Sequence, residues 1–458
     1  MHSPALDRPS RQLPLPALVL SVFALASGPV QAAPSFTAAP IAPVSLAEVG
    51  GGLLALVPAS FEAKTELWEL GLGGNRLLSP RLEETHDRLS LVAGPERAFV
   101  LGGRDADFIW AADAAGLVPI AEEEIASPLG VRGDRLFLLR HYRDNAQADR
   151  YHVELSVLDG DSGDSVIVGP VVDYTVDASI TPATTTFAAS QLVTHRGLDY
   201  FAVVGDSGGR GLWVTNGSPG ASLRVAPWPA SCAVCGEVAL ASSGALLLLS
   251  SGNELWRMDV SDAGVFLGAT RLLAANAIRS ITPAGGRKVF FVADTSTHGS
   301  EVWITNGTPA GTRLVRDLYS GAGGSNPRAL IAFGPGGAAF IAQGPAGRQL
   351  WKTNGTKAGT QRLTPAQPGN IDSVTLDELI AVDGKLLFQG VGSPSVNDRE
   401  VWISDGTRVG TRELLDLNDQ AGGSAPTLFT ATPGRIYFRA RLGTGISLVS
   451  IDRVGLGN

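Results

Sequence analysis

Cysteine is nearly missing from this chain, with two residues in 458. Two thiols cannot supply a disulfide framework or a four-thiolate zinc site. Lysine is scarce as well, five against 31 arginines, and the basic residues are scattered rather than clustered. With a formal net charge of −8 there is no basic footprint, so nucleic acid is not an expected partner. Charged residues amount to only 17% and apolar residues to 44%. That balance excludes intrinsic disorder and leaves ample material for a core. A 3.6-residue apolar period is lacking, which excludes helical repeats. Beyond the N-terminal segment, the most apolar stretch is 239–251, short of the ~20 residues a spanning helix needs. What the chain does have is turn residues, 56 Gly and 28 Pro, still below the level of a low-complexity sequence.

The first 32 residues read as a targeting segment. Arg8 and Arg11 precede an apolar run, 13–26, and small residues at Val30 and Ala32 suit cleavage between Ala32 and Ala33. The expectation is a signal peptide over 1–32 and a single exported domain over 33–458. Its compartment would be the periplasm, the cell surface or the outside. No membrane span is expected, and the chain reads as a monomer.

Internal periodicity organises the rest. Seven of the eight tryptophans, Trp68, Trp110, Trp213, Trp256, Trp303, Trp351 and Trp402, fall in one local pattern. Its clearest copies are Glu301-Val302-Trp303-Ile304-Thr305-Asn306-Gly307-Thr308, Gln349-Leu350-Trp351-Lys352-Thr353-Asn354-Gly355-Thr356 and Glu400-Val401-Trp402-Ile403-Ser404-Asp405-Gly406-Thr407. Each continues to a second Gly-Thr, at 311–312, 359–360 and 410–411. Allowing the tryptophan to vary places Ser156 and Val449 in the same register. Nine units of about 48 residues then cover the chain beyond residue 33.

Each unit holds four strand-like runs separated by Gly, Pro and Asn. Adjacent apolar residues, as in Leu350-Trp351, indicate strands buried on both faces. Four such strands in about 45 residues, repeated, is the arithmetic of a β-propeller blade. The expected fold is all-β, a single propeller of eight to nine four-stranded blades. Tryptophan on the third strand would wedge between blades. Asn-Gly or Asp-Gly would turn the third strand into the fourth, because these residues tolerate φ > 0. Asn216, Asp259, Asn306, Asn354 and Asp405 share that position, and a turn accepts Asn or Asp alike where a metal ligand would favour the carboxylate. The segment 35–43, short and containing proline, is expected to pair beside 446–451 and close the ring.

At these residues the chain resembles the ELWxxDGT-repeat proteins, exported bacterial proteins with tandem copies of Glu-Leu-Trp-x-x-Asp-Gly-Thr-x-x-Gly-Thr. The resemblance is specific in units six to eight, partial in four and five, and eroded in the others. The linkers 317–327 and 416–426 resemble the segment between repeats in that family. The resemblance implies an exported, propeller-like repeat protein and brings no catalytic residues to carry over.

Few motifs suggest chemistry. Gly205-Asp206-Ser207-Gly208-Gly209 matches the nucleophile segment of trypsin-like proteases, but no matching His motif precedes it, and a loop is expected. Cys232 and Cys235 lie in a Pro-rich link rather than at a helix N-terminus. A local disulfide is therefore expected after export. The acidic run 159–164 lacks the spacing of a calcium loop and reads as an exposed hairpin. No metal or cofactor is expected. Quinoprotein dehydrogenases carry a repeated tryptophan motif of different order, whereas sialidase-like enzymes share an aspartate turn in this position but need converging arginines.

Chain reversal places the loops after strands two and four on one face of a propeller. Those loops vary, including 141–151, 172–189 and 227–236, while loops on the other face are short and uniform. A rigid scaffold with variable loops is a frequent setting for binding. Arg140, His141, Tyr142 and Arg143 with Arg150, Tyr151 and His152 form the most interaction-prone segment. The functional expectation is a non-catalytic module that binds a protein or glycan, with a propeller-type glycan hydrolase as the alternative.

Overall fold

A computed structural model describes residues 36–39, 42–58, 65–70, 76–82, 89–102, 108–113, 116–122, 126–144, 146, 149–177, 184–185, 187–204, 210–227, 238–344, 347–364, 378–391, 398–418 and 423–456. Cys232, Cys235, residues 205–209 and the segment 1–35 lie outside them.

The strands form nine antiparallel sheets. In chain order the blades are 45–82, 90–122, 126–177, 188–227, 239–274, 277–314, 328–362, 379–415 and 427–452. Blade 9 takes its fourth strand from the other end of the chain. Phe36–Ala39 pairs with Gly445–Asp452, Phe36 facing Ile451 and Ala39 facing Leu448. The expected closure is present.

Nine apolar clusters fill the nine seams of the ring. The sixth seam, for example, packs Phe290, Val292 and Ile304 of blade 6 against Phe340, Ala342 and Trp351 of blade 7. The closing seam packs Leu53, Ala55 and Val57 of blade 1 against Tyr437 and Leu448 of blade 9. Because every blade is covered on both sides, second and third strands read as unbroken apolar runs; Leu246–Ser250 is buried at every residue. This is why alternation was absent from the sequence.

The repeat register is confirmed by pairing. Each motif tryptophan faces a second-strand residue, as in Phe201 to Trp213, Phe291 to Trp303, Phe340 to Trp351 and Phe388 to Trp402. Ser156 faces Leu138 and Val449 faces Phe438 in the same way. All seven tryptophans pack toward the preceding blade. Trp213, Trp351 and Trp402 are buried, while Trp68, Trp110, Trp256 and Trp303 are half-buried.

Some expectations need correction. Asp259 is not a turn residue: it lies inside the strand Glu254–Val260, faces Gly268 and pairs with Arg257 at 2.9 Å. The outer strands of blades 6 and 7 shrink to Arg313–Leu314 and Gln361–Arg362. Of the expected loops 141–151 and 172–189, residues 141–143, 150–151 and 172–177 are strand. Blade 3 has second, third and fourth strands of 9, 10 and 13 residues, Arg135–Arg143, Arg150–Asp159 and Ser165–Asp177. Second strands elsewhere run 5 to 8 residues. Blade 3 therefore extends beyond its neighbours on the variable-loop face.

Candidate functional site

The repeated motif is spent on architecture. In blade 6 the Asn306 Oδ1 accepts from the Thr308 amide at 3.0 Å and from its hydroxyl at 2.7 Å. The Thr305 hydroxyl accepts from the Gly307 amide at 3.0 Å and meets the Thr312 hydroxyl at 2.7 Å. Blade 7 repeats this with Thr353, Asn354, Gly355, Thr356 and Thr360. Blade 8 repeats it with Ser404, Asp405, Gly406, Thr407 and Thr411. Hydrogen bonds from Thr407 hold the Asp405 carboxyl below its ordinary pKa. Both glycines of the motif are steric requirements. Gly307, Gly355 and Gly406 have φ of +83°, +90° and +82°, and a side chain there would strike the preceding blade. A Cβ on Gly311 or Gly359 would lie 2.0 Å from the Asn306 or Asn354 side-chain oxygen. In all three blades the side-chain Oδ1 at this position is engaged in the turn.

Other suspected motifs are also structural. Asp159 Oδ1 accepts from the Asp161 and Ser162 amides, and Asp161 pairs with Arg97 of blade 2 at 2.6 Å. His195, buried, bonds Ser242 through Nδ1 at 2.9 Å. Among the described residues, no group of three or more His, Cys, Asp or Glu side chains is arranged to hold a metal ion.

The extended hairpin of blade 3 brings most of the suspected binding segment together. Tyr142 and His152 face each other across the strands, their rings 5.2 Å apart at 35°. His152 is bracketed by carboxylates, with Nδ1 at 2.8 Å from Asp173 and Nε2 at 3.1 Å from Asp144. Asp173 also accepts from Arg150 at 2.6 Å. The bond to Asp173 is the main reason that the His152 pKa lies above its ordinary value. Both ring nitrogens of His152 meet carboxylates, one of them shared with the Arg150 guanidinium, and these bonds fix the hairpin tip. Tyr142 and Arg143 remain exposed on that tip, and Tyr151 packs partly into the seam below. Arg140, half-buried, lies 3.9 Å from Glu154.

His141 does not belong to this surface. Only 3% of it is exposed; Nε2 meets the Ser127 hydroxyl at 3.0 Å and the ring stands edge-on to Phe187. Burial pushes its pKa down to about 4. Strand alternation turns His141 inward as it turns Tyr142 outward.

Two features escaped the sequence reading. Asp144 and Asp173 complete the His152 network, yet Asp173 is distant in sequence and becomes a neighbour only because the fourth strand is so long. The motif glutamates are the second. Glu301 and Glu400, fully buried, hold the linker that leads to the next blade. Glu301 accepts from the Leu318, Tyr319 and Ser325 amides and from the Ser325 hydroxyl at 2.6 Å. Glu400 accepts from the Leu417 and Ser424 amides and from the Ser424 hydroxyl. Burial raises their pKa to about 6 and about 7. The matching linkers, 317–327 and 416–426, were the visible half of this signal.

The fold so described is that of a nine-bladed β-propeller, closed by its N-terminal strand. No family model and no curated protein matches the chain. Among solved structures it is similar to a puromycin hydrolase, at 14% identity over 87% of this chain and 58% of that one, with a TM-score of 0.43. It is similar to a puromycin-hydrolyzing peptidase of Mycobacterium tuberculosis, at 11% identity, 88% and 58% coverage and a TM-score of 0.40. An acylaminoacyl peptidase of Pyrococcus horikoshii gives 10%, 88%, 57% and 0.40. The chain spans less than two thirds of the length of each.

Proposed function

We propose that this chain is an exported, non-catalytic propeller that binds a protein or glycan on its variable-loop face. The observation that carries the reading is the blade-3 extension, a hairpin whose strands are the longest second and third strands among the described residues, fixed at its tip by His152, Asp144, Asp173 and Arg150. Such fixing lowers the entropy cost of presenting Tyr142 and Arg143 to a partner. An exposed tyrosine beside an exposed arginine suits a ligand with both an apolar face and polar groups. The run 13–26 with its small-residue cleavage site supports export, and the repeat pattern supports kinship with the ELWxxDGT-repeat proteins.

The test is a binding screen of the purified protein against glycans, peptides and cell-wall fragments, repeated with Tyr142→Ala and Arg143→Ala. The reading expects a ligand that the wild type retains and both variants lose by about tenfold or more, with unchanged melting temperature. Ligand turnover, or binding indifferent to both substitutions, would contradict it.

A further inference from the structure

The channel-lining strands of blades 6, 7 and 9 share an irregularity. Each has a β-bulge at the same register, between Arg279 and Thr282, Arg328 and Ile331, and Thr427 and Thr430. In each bulge one residue other than glycine sits in the left-handed region: Ser280 at φ +55°, Ala329 at +49° and Leu428 at +60°. Side chains of this kind resist that conformation, and bulges that carry it re-aim the neighbouring side chain, often beside a functional site. The residues immediately before Ser280 and Ala329 are both arginine.

Both arginines are anchored to one piece of scaffold. The Arg279 guanidinium donates to the Ser300 hydroxyl at 2.8 Å. Ser300 precedes Glu301, whose carboxylate holds Ser325, and Ser300 itself bridges to Gly324 and accepts from the Asn326 amide at 3.1 Å. Two residues later comes Arg328. The two inner strands are tied again where the Thr282 hydroxyl donates to the Leu330 carbonyl at 3.1 Å. Arg328 is exposed, and its guanidinium has no hydrogen-bond or ion-pair partner among the described residues. Its neighbours Pro327 and Ala329 are buried, so the backbone that presents it is held firmly while its guanidinium is left unused.

We propose that Arg279 and Arg328 form an oxyanion-binding subsite at the variable-loop mouth of the central channel, between blades 6 and 7. Two guanidiniums on adjacent inner strands offer forked donors matched to a carboxylate, sulfate or phosphate group. Arg279, already committed to Ser300 by one nitrogen, supplies the fixed side, and Arg328 supplies the free one. This site does not depend on the blade-3 hairpin, and each can fail alone.

The experiment is calorimetric titration of the purified protein with inorganic phosphate, with sulfate and with polygalacturonate. At least one of the three binds with an affinity that falls at least tenfold in Arg328→Gln and in Arg279→Gln. Arg328→Lys retains the charge without the fork and gives an intermediate loss. Arg408→Gln, an exposed arginine in the uniform loop face, leaves the affinity unchanged. Binding of the small ions identifies a free oxyanion as the ligand, and binding of the polymer alone identifies a glycan carboxylate. No binding of any probe at about 10 mM overturns the proposal. An equal loss in Arg408→Gln would also overturn it, by showing diffuse charge attraction. Arg328 is exposed, so a melting temperature equal to that of the wild type separates loss of binding from loss of fold.

Discussion

Substituting Gly355 by alanine probes why the motif requires Asn-Gly rather than any turn. Two costs are expected at that position. The backbone has φ +90°, which an L-residue adopts at a cost of about 1–2 kcal/mol. The new methyl would also lie 2.5 Å from Ile304 Cδ1 of the preceding blade, an overlap that typically costs about 1–3 kcal/mol to relieve. The sum is about 2–5 kcal/mol. Gly334 separates the two terms, since its φ is +68° and a Cβ there meets nothing within 4 Å. Gly334→Ala should therefore lose only the backbone term. Urea unfolding followed by tryptophan fluorescence gives the midpoint of each variant. Because large propellers need not unfold in one step, midpoints should be compared alongside the slopes. Equal destabilisation in the two variants would refute the claim that this glycine is a contact between blades.

Two further outcomes follow from the seams and the buried carboxylates. Trp351→Ala, removing a ring that fills the sixth seam, should cost about 3–5 kcal/mol by the same unfolding assay; a loss under about 1 kcal/mol would mean that the indole is not a wedge. Burial raises the folded pKa of Glu400 to about 7, above the ordinary carboxylate range, so the folded state holds its proton more tightly than the unfolded one. The contribution is complete below about pH 4.3 and is lost as pH rises through about 7. Glu400→Gln removes the titrating group, at the cost of an acceptor for one of the amides that the carboxylate holds, and should flatten that decline, whereas parallel profiles for the two proteins would contradict the assignment.

Tryptophan spacing made the blades legible because each ring has one place to go, the seam toward the preceding blade. The Asn-Gly-Thr turn was legible because a positive φ selects glycine and an Asx turn selects a short side-chain oxygen. The closing strand 36–39 was readable by subtraction, since unit nine lacked a fourth strand. The bulges were not readable, because Ser280, Ala329 and Leu428 carry no glycine signal and their conformation is imposed by the linker and the adjoining strands. Nor was the role of the motif glutamates, whose partners lie 17 to 24 residues downstream and converge only when the linker folds back. The length of blade 3 was hidden by Gly169 and Pro170, which punctuate the sequence like a loop yet sit within one strand of 13 residues. His141 and Tyr142 take opposite sides of that hairpin, a split that a loop pattern does not reveal.

The ring of nine blades is fastened where Phe36–Ala39 pairs with Gly445–Asp452. Thr37 and Ser450 face each other in that fastening, their hydroxyl oxygens 2.7 Å apart, with Arg435 donating to both. A Thr37→Cys, Ser450→Cys double variant tests it directly, read by mass spectrometry of peptides cut without reductant. The closed ring predicts a 37–450 crosslink in most molecules and an unfolding midpoint that rises on oxidation and falls back on reduction. Two free thiols at these positions after mild oxidation of the folded protein would contradict the closure.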